Sequence, residues 1–139
     1  MTDIAIDKVQ ALEDWIKTKP QGEYPCRHYF AGGVYEREIT VPAGHVITGK
    51  IHLTEHLAKL VKGTMTIYSN EGSGTMTGPI TFVSTPGAKR AGYAHDEVTF
   101  STFHYVGDKT DLNLIESDLV VETYEQYELG LERSLEVKE

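Results

Sequence analysis

Two histidines, His52 and His56, lie four residues apart in a largely apolar segment that ends at Gly63. Imidazole binds transition metals and transfers protons near neutral pH, so two such rings among apolar neighbours indicate a site rather than a solvated loop. Glu55 lies between them and is a candidate general base or hydrogen-bond partner of the histidines. The chemistry of the chain is therefore expected to centre on this segment.

The elements that carry the two histidines are predicted to be strands. A helix would place residues four apart on one face, as in zinc proteases. The residues around the histidines instead favour strands, because many of them are β-branched: Val46, Ile47, Thr48, Ile51, Thr64, Thr66 and Ile67. We therefore predict two short strands that meet at Thr54-Glu55, with one histidine on either side of the turn.

The rest of the chain predicts a mostly β protein with helices at both ends. Turn residues divide residues 24–106 into eight or nine short segments with strand patterns, which is typical of an antiparallel β-barrel or jelly roll. Residues 1–19 predict an N-terminal helix, and residues 108–139 predict a glutamate-rich helical tail. At 139 residues, we expect a single domain covering 1–139.

The composition indicates which binding partners are disfavoured and in which cellular compartment the protein is expected. The formal net charge of −8 disfavours binding to nucleic acid or to an anionic membrane, both of which need clustered Lys and Arg. The single cysteine, Cys26, cannot form an internal disulfide, and neither a leader-like segment nor a long apolar run is present. We therefore expect a cytoplasmic protein.

The histidine segment resembles the first motif of the cupin superfamily. That motif is Gly, five residues, His-x-His, three or four residues, Glu, six residues, Gly, and its spacing is kept from Gly44 through His52 and His56 to Gly63. At two positions the residue differs from that of the motif. Lys50 stands where the first histidine belongs, and His56 stands where the glutamate belongs.

A second cupin motif is matched more loosely around Pro86-Gly87. Counting from Gly87, Arg90 stands at the position of the last metal histidine of the family. The resemblance spans roughly Tyr35 to Val106 and extends to the small cupins found in bacteriophage and prophage gene sets. It implies a cupin jelly roll and, because small cupins commonly dimerise, a homo-oligomer.

Cupin topology also implies which histidines meet. In that fold the end of the last strand lies close to the start of the strand that begins at His56, so His104 is expected to be the third imidazole. His95 is expected at the opposite end of the barrel, although it remains an alternative to His104. Three imidazoles suit Zn, Fe, Ni or Cu. Lys50 and Arg90, with Glu55 nearby, suit a small anionic ligand instead of or beside the metal.

Three functions from different classes stay open at this point. The first is a metal-binding cupin, with or without an enzymatic activity, and no catalytic residue is assigned. The second is a cupin that binds a small anion without catalysis. The third is a non-catalytic structural or assembly protein, for example a virion component, that uses the jelly roll as a scaffold.

Overall fold

Two antiparallel sheets face each other across the core of the molecule. A computed structural model describes residues 4–137, with side chains up to Leu131, and contains three helices in that range: α1 (Ile4–Ile16), α2 (Leu112–Leu119) and α3 (Tyr124–Val137). The same range contains eleven strands: β1 (Cys26–Ala31), β2 (Val34–Val41), β3 (Val46–Thr48), β4 (Ile51–His52), β5 (His56–Lys62), β6 (Thr64–Ser69), β7 (Gly72–Thr77), β8 (Ile80–Ser84), β9 (Arg90–Ala94), β10 (Val98–Tyr105) and β11 (Val120–Val121).

The strand order is that of a jelly roll. One sheet has the order β1-β2-β10-β5-β8, the other has the order β3-β9-β6-β7, and β11 pairs with β4 in a small two-stranded sheet. All pairs are antiparallel. Strands distant in sequence, such as β2 and β10, are neighbours because the chain crosses between the sheets. The predicted antiparallel jelly roll is confirmed.

The core lies between the two sheets. Its buried residues come from both of them: Val41, Leu60 and Val98 from the five-stranded sheet, and Met65, Ile67 and Ala94 from the four-stranded sheet. Because side chains alternate across a strand, the same faces carry Phe100, Thr102 and His104 inward from β10. The polar end of this inward face forms the site described below.

The N-terminal helix packs on the four-stranded sheet against β3, β6 and β9. Ile6, Val9 and Glu13 are its buried residues, whereas Trp15 in the same helix is 59% exposed. A buried glutamate is stabilised here because Glu13 Oε2 accepts a hydrogen bond of 2.7 Å from the fully buried Lys89. Residues 1–3 of the predicted helix lie outside the described residues.

The C-terminal tail contains two helices, α2 and α3, as its sequence predicts. The side chain of Asp111 caps α2 by accepting hydrogen bonds from the backbone N–H groups of Asn113 and Leu114. Thr123 and Gln126 cap α3 reciprocally, since Thr123 Oγ1 accepts from Gln126 N and Gln126 Oε1 accepts from Thr123 N. Between the helices, β11 pairs with β4, so the tail is joined to the strand that carries His52. Residues 138 and 139 of the predicted tail lie outside the described residues.

Two strands differ from the sequence-based expectation. Residues 46–53, whose pattern predicts one strand, form two, β3 and β4, because the chain leaves the four-stranded sheet after Gly49, whose backbone N–H still bonds Arg90 O, and joins a different sheet. β9 was not predicted. Across the part of the chain that is described, none of the helices is both long and apolar enough to span a bilayer.

Candidate metal centre

Three histidines from three strands meet at one end of the sandwich. His52 ends β4, His56 begins β5, and the residues between them form the predicted turn. β10 runs antiparallel to β5 with Phe103 opposite Leu57, which brings His104 alongside His56. The ring centroids are 4.3 Å apart for His52 and His56, 4.5 Å for His56 and His104, and 5.4 Å for His52 and His104.

Each of these rings has one buried nitrogen without a hydrogen-bond partner in the described structure: His52 Nδ1, His56 Nε2 and His104 Nδ1. His56 Nδ1 donates to Thr54 O at 3.0 Å, which leaves the lone pair on Nε2. His104 Nε2 and Thr102 Oγ1 are hydrogen-bonded at 3.0 Å. An unsatisfied buried polar atom costs about 1–3 kcal/mol, so three together in one place call for a common partner.

The local environment keeps the three rings neutral. Burial, together with the neighbouring His56 and His104 rings, lowers the pKa of His52 to about 3. Burial lowers the pKa of His104 to about 4, and electrostatic interaction with His56 and Arg37 acts in the same direction. Burial also lowers the pKa of His56. Neutral imidazole is the form that binds a metal ion, so the site is ready for one at neutral pH without loss of a proton.

The histidines line a cavity of about 660 Å³ between the two sheets. Its walls come from both sheets and from the segment formed by α2 and β11, which contributes Leu112, Asn113, Ile115, Glu116, Leu119 and Val120. A volume of this size is typical of sites for small molecules. The three histidines therefore face a space large enough for a small-molecule ligand.

Comparison with solved structures finds the same architecture elsewhere. An uncharacterized conserved protein with a double-stranded β-helix domain from Klebsiella pneumoniae is 12% identical with a TM-score of 0.52, covering 66% of this chain and 85% of that one. A cupin superfamily protein from Desulfitobacterium hafniense is 7% identical with a TM-score of 0.51, covering 63% and 82%. The chain has a cupin fold. KdgF from Halomonas sp. is similar as well, at 10% identity and a TM-score of 0.51, covering 67% and 87%.

At the level of sequence, no protein-family model matches this chain. A search of curated proteins likewise finds no match. With identities this low, the solved structures bear on the fold alone, and the chemistry of this cupin fold has to be argued from its own side chains.

The two basic residues at the cupin motif positions differ in their surroundings. Lys50 lines the cavity, but its ammonium group is half exposed and ion-paired with Glu116 of α2. Arg90 also lines the cavity, with its guanidinium carbon 5.9 Å from the centroid of the Phe82 ring. Of the two, Arg90 is the one whose charge is not taken up by an ion pair with a described residue.

Glu55 and His95 lie away from this centre. Glu55 is exposed in the turn between β4 and β5 and does not line the cavity. His95 is exposed, and its Nε2 is hydrogen-bonded to Thr66 Oγ1 at 2.6 Å. His104, rather than His95, is the histidine that joins His52 and His56.

The cavity is also lined by three residues that are not among the predicted site residues: His28, Tyr35 and Arg37. Tyr35 Oη is hydrogen-bonded to His28 Nδ1 at 2.6 Å, its ring centroid is 6.2 Å from that of His104, and burial raises its pKa. Alternation along β2 does place Tyr35 and Arg37 on one face. The sequence does not show that this face of β2 points into the cavity. The pairing of Tyr35 with His104 and of Arg37 with Thr102 shows it.

Proposed function

We propose that this protein binds a divalent metal ion through His52, His56 and His104. The observation that supports the proposal is the convergence of three neutral imidazoles, two of them buried and that of His52 half-buried, each with a buried nitrogen that has no partner. One ligand nitrogen from each ring lies within 4.8 Å of the others. Nitrogens bound to one zinc ion are about 3.4 Å apart, so small side-chain rotations close the site.

The donor set narrows the choice of metal. Imidazole nitrogen suits Zn, Fe, Ni and Cu, whereas Mg and Ca prefer oxygen ligands. Three protein ligands leave at least one position open, as in catalytic rather than structural zinc sites. A metal held in this way polarises a carbonyl and lowers the pKa of bound water.

The cation at the position of the first cupin histidine does not oppose this metal. Lys50 is ion-paired with Glu116, and its ammonium nitrogen is 4.0 Å from Glu122 Oε1, so acidic groups offset its charge. A small anionic ligand is part of the same proposal, with Arg90 in its binding site. Glu55 has no part in it because it does not line the cavity.

Elemental analysis after purification without chelators tests the metal site. We expect about one metal per chain in the wild type, and loss of most of it in the variants His52→Ala and His56→Ala, since each removes one of three ligands. His95→Ala is the matched control, because this histidine is exposed and outside the cluster. A wild type that takes up no Zn, Ni, Fe or Cu when these are supplied would refute the proposal.

A second candidate is a non-catalytic assembly role, such as that of a virion component. The observation that favours it is a mostly apolar row of side chains, interrupted by Glu36, on the outer face of the five-stranded sheet, with Leu57 50% and Val83 55% exposed and directly paired. Apolar surface of this kind is common at interfaces between protein chains. This candidate requires a homo-oligomer that forms through the outer face of the sheet.

A further inference from the structure

The inner wall of the cavity is arranged in layers that change from polar to apolar. The pairing of β10 with β2 sets His104 beside Tyr35, Thr102 beside Arg37 and Phe100 beside Ile39. Arg37 therefore lies one layer below the histidines, and the layer beneath it is apolar. The four-stranded sheet adds further apolar side chains to the lower part of the cavity: Ile47, Met65 and Ile67.

Arg37 and Arg90 are the arginines of this cavity, and neither forms an ion pair with an acidic residue in the described part of the chain. Arg27, on the outer side of the same sheet, shows the contrast because its Nη1 donates to Glu38 Oε1 at 2.9 Å. Both cavity arginines act electrostatically on His52. Their positive charges thus act on the metal centre from β2 and β9, and Glu71, the carboxylate that acts on Arg90, does not line the cavity.

The charges of the lining residues also do not balance. The described residues that line the cavity include three cations, Lys50, Arg37 and Arg90, and a single carboxylate, that of Glu116. Lys50 and Glu116 neutralise each other. Two positive charges remain in a protein whose net charge is −8, and a divalent metal would add to them. Such a local excess of positive charge attracts an anion and is stabilised by it.

We propose that the cavity binds an organic carboxylate with an apolar body. The carboxylate lies at the level of Arg37 and Arg90, where guanidinium groups can donate paired hydrogen bonds to its two oxygens. The body extends into the apolar layer formed by Ile39, Phe100 and Met65. This inference rests on the proposed ligand-binding function of the cavity and adds to it the chemical class of the ligand.

Probe compounds test the proposed chemical class of the ligand on the wild-type, metal-loaded protein. Calorimetry and thermal melts would use 3-phenylpropionate, its neutral amide 3-phenylpropionamide, acetate and inorganic phosphate. We expect 3-phenylpropionate to bind at least about tenfold more tightly than the amide, since a charge-assisted hydrogen bond contributes about 1.5–3 kcal/mol. Acetate is expected to bind more weakly than 3-phenylpropionate because it lacks the body. Equal binding of acid and amide, or phosphate as the tightest probe, would overturn the inference.

Variants locate the carboxylate. Arg37→Gln and Arg90→Gln should each weaken binding of 3-phenylpropionate by about tenfold or more and leave binding of the amide unchanged. Arg27→Gln is the matched control, since it changes an arginine on the outer face of the same sheet. Unchanged binding in both cavity variants would overturn the inference, and the wild-type comparison of acid with amide decides it if either variant fails to fold.

Metal content measured in the same samples separates this inference from the proposal of a metal centre. A metal-loaded protein that does not discriminate acid from amide overturns the ligand class and leaves the metal site standing. A protein that takes up no metal when metal is supplied, yet binds 3-phenylpropionate through Arg37 and Arg90, supports the ligand class and refutes the metal site.

Discussion

At the scale of single residues, the buried histidines make the metal-free protein sensitive to acid. Histidine in an unfolded chain has a pKa near 6.5. In the folded state, burial lowers the pKa of His52 to about 3 and that of His104 to about 4. Below pH 6.5 the unfolded state therefore binds more protons, and the free energy of unfolding falls as the pH decreases towards 4. Between pH 6.5 and pH 4, His52 alone makes the free energy of unfolding fall by about 1.4 kcal/mol for each unit that the pH decreases.

Denaturant unfolding of chelator-treated protein between pH 7.5 and pH 4.5 measures this slope. We expect His52→Gln to flatten it, because glutamine has no proton to bind, and His95→Ala to leave it unchanged, because that ring is exposed. Equal slopes in the wild type and in His52→Gln would contradict the expectation.

Part of the site follows from residue types and part does not. His52 and His56 can be placed on two sides of a turn because a β-branched run surrounds them. His104 is 48 residues further along the chain than His56, and only the pairing of β10 with β5 brings the two together. Arg37 could not be assigned a role, since alternation gives two faces of a strand without saying which one is buried.

At the scale of elements, a buried ion pair attaches the N-terminal helix to the sandwich. Lys89 Nζ donates to Glu13 Oε2 at 2.7 Å and to Gly49 O at 2.9 Å, and the Lys89 side chain is fully buried. Removing one partner leaves a buried charge uncompensated, so Glu13→Gln and Lys89→Met should each lower the free energy of unfolding by about 3–5 kcal/mol. Denaturant unfolding provides the measurement.

The exposed ion pair of Lys62 and Glu97 is the control for this prediction. Its nitrogen–oxygen distance is 2.8 Å, close to that of the buried pair, but both side chains are 59% exposed. Lys62→Met should therefore change stability by about 1 kcal/mol or less. If Glu13→Gln and Lys62→Met had equal effects, the helix would not depend on the buried pair.

The elements themselves were predictable to different degrees. The terminal helices follow from apolar periodicity, and the turn at Gly63 follows from a glycine that the backbone requires, since its φ of +92° is one that other residues rarely adopt. β9 has the sequence Arg-Ala-Gly-Tyr-Ala, whose alanine and glycine are weak strand formers. It is a strand because β3 and β6 lie on either side of it and provide hydrogen bonds, which is tertiary information.

At the scale of the whole molecule, the two faces of the five-stranded sheet differ in the side chains that they carry. The inner face carries the buried His104 and, with an exposed side chain, Arg37, and both residues line the cavity with residues of the second sheet and of α2. The outer face carries one continuous row across all five strands, in the order Tyr29, Glu36, Phe103, Leu57 and Val83. Tyr29, Leu57 and Val83 of this row are each at least 50% exposed, so this face is the surface we expect to mediate self-association.

A second copy of the chain is the expected occupant of this outer face. Two identical sheets related by a twofold axis can bury the same row against each other. Leu57→Glu should then place an unpaired carboxylate in the interface and weaken the dimer by at least about tenfold. Leu114→Glu is the control, because Leu114 is 60% exposed on α2 instead. Light scattering coupled to gel filtration measures the mass, and a wild type that stays monomeric at every concentration would refute the interface.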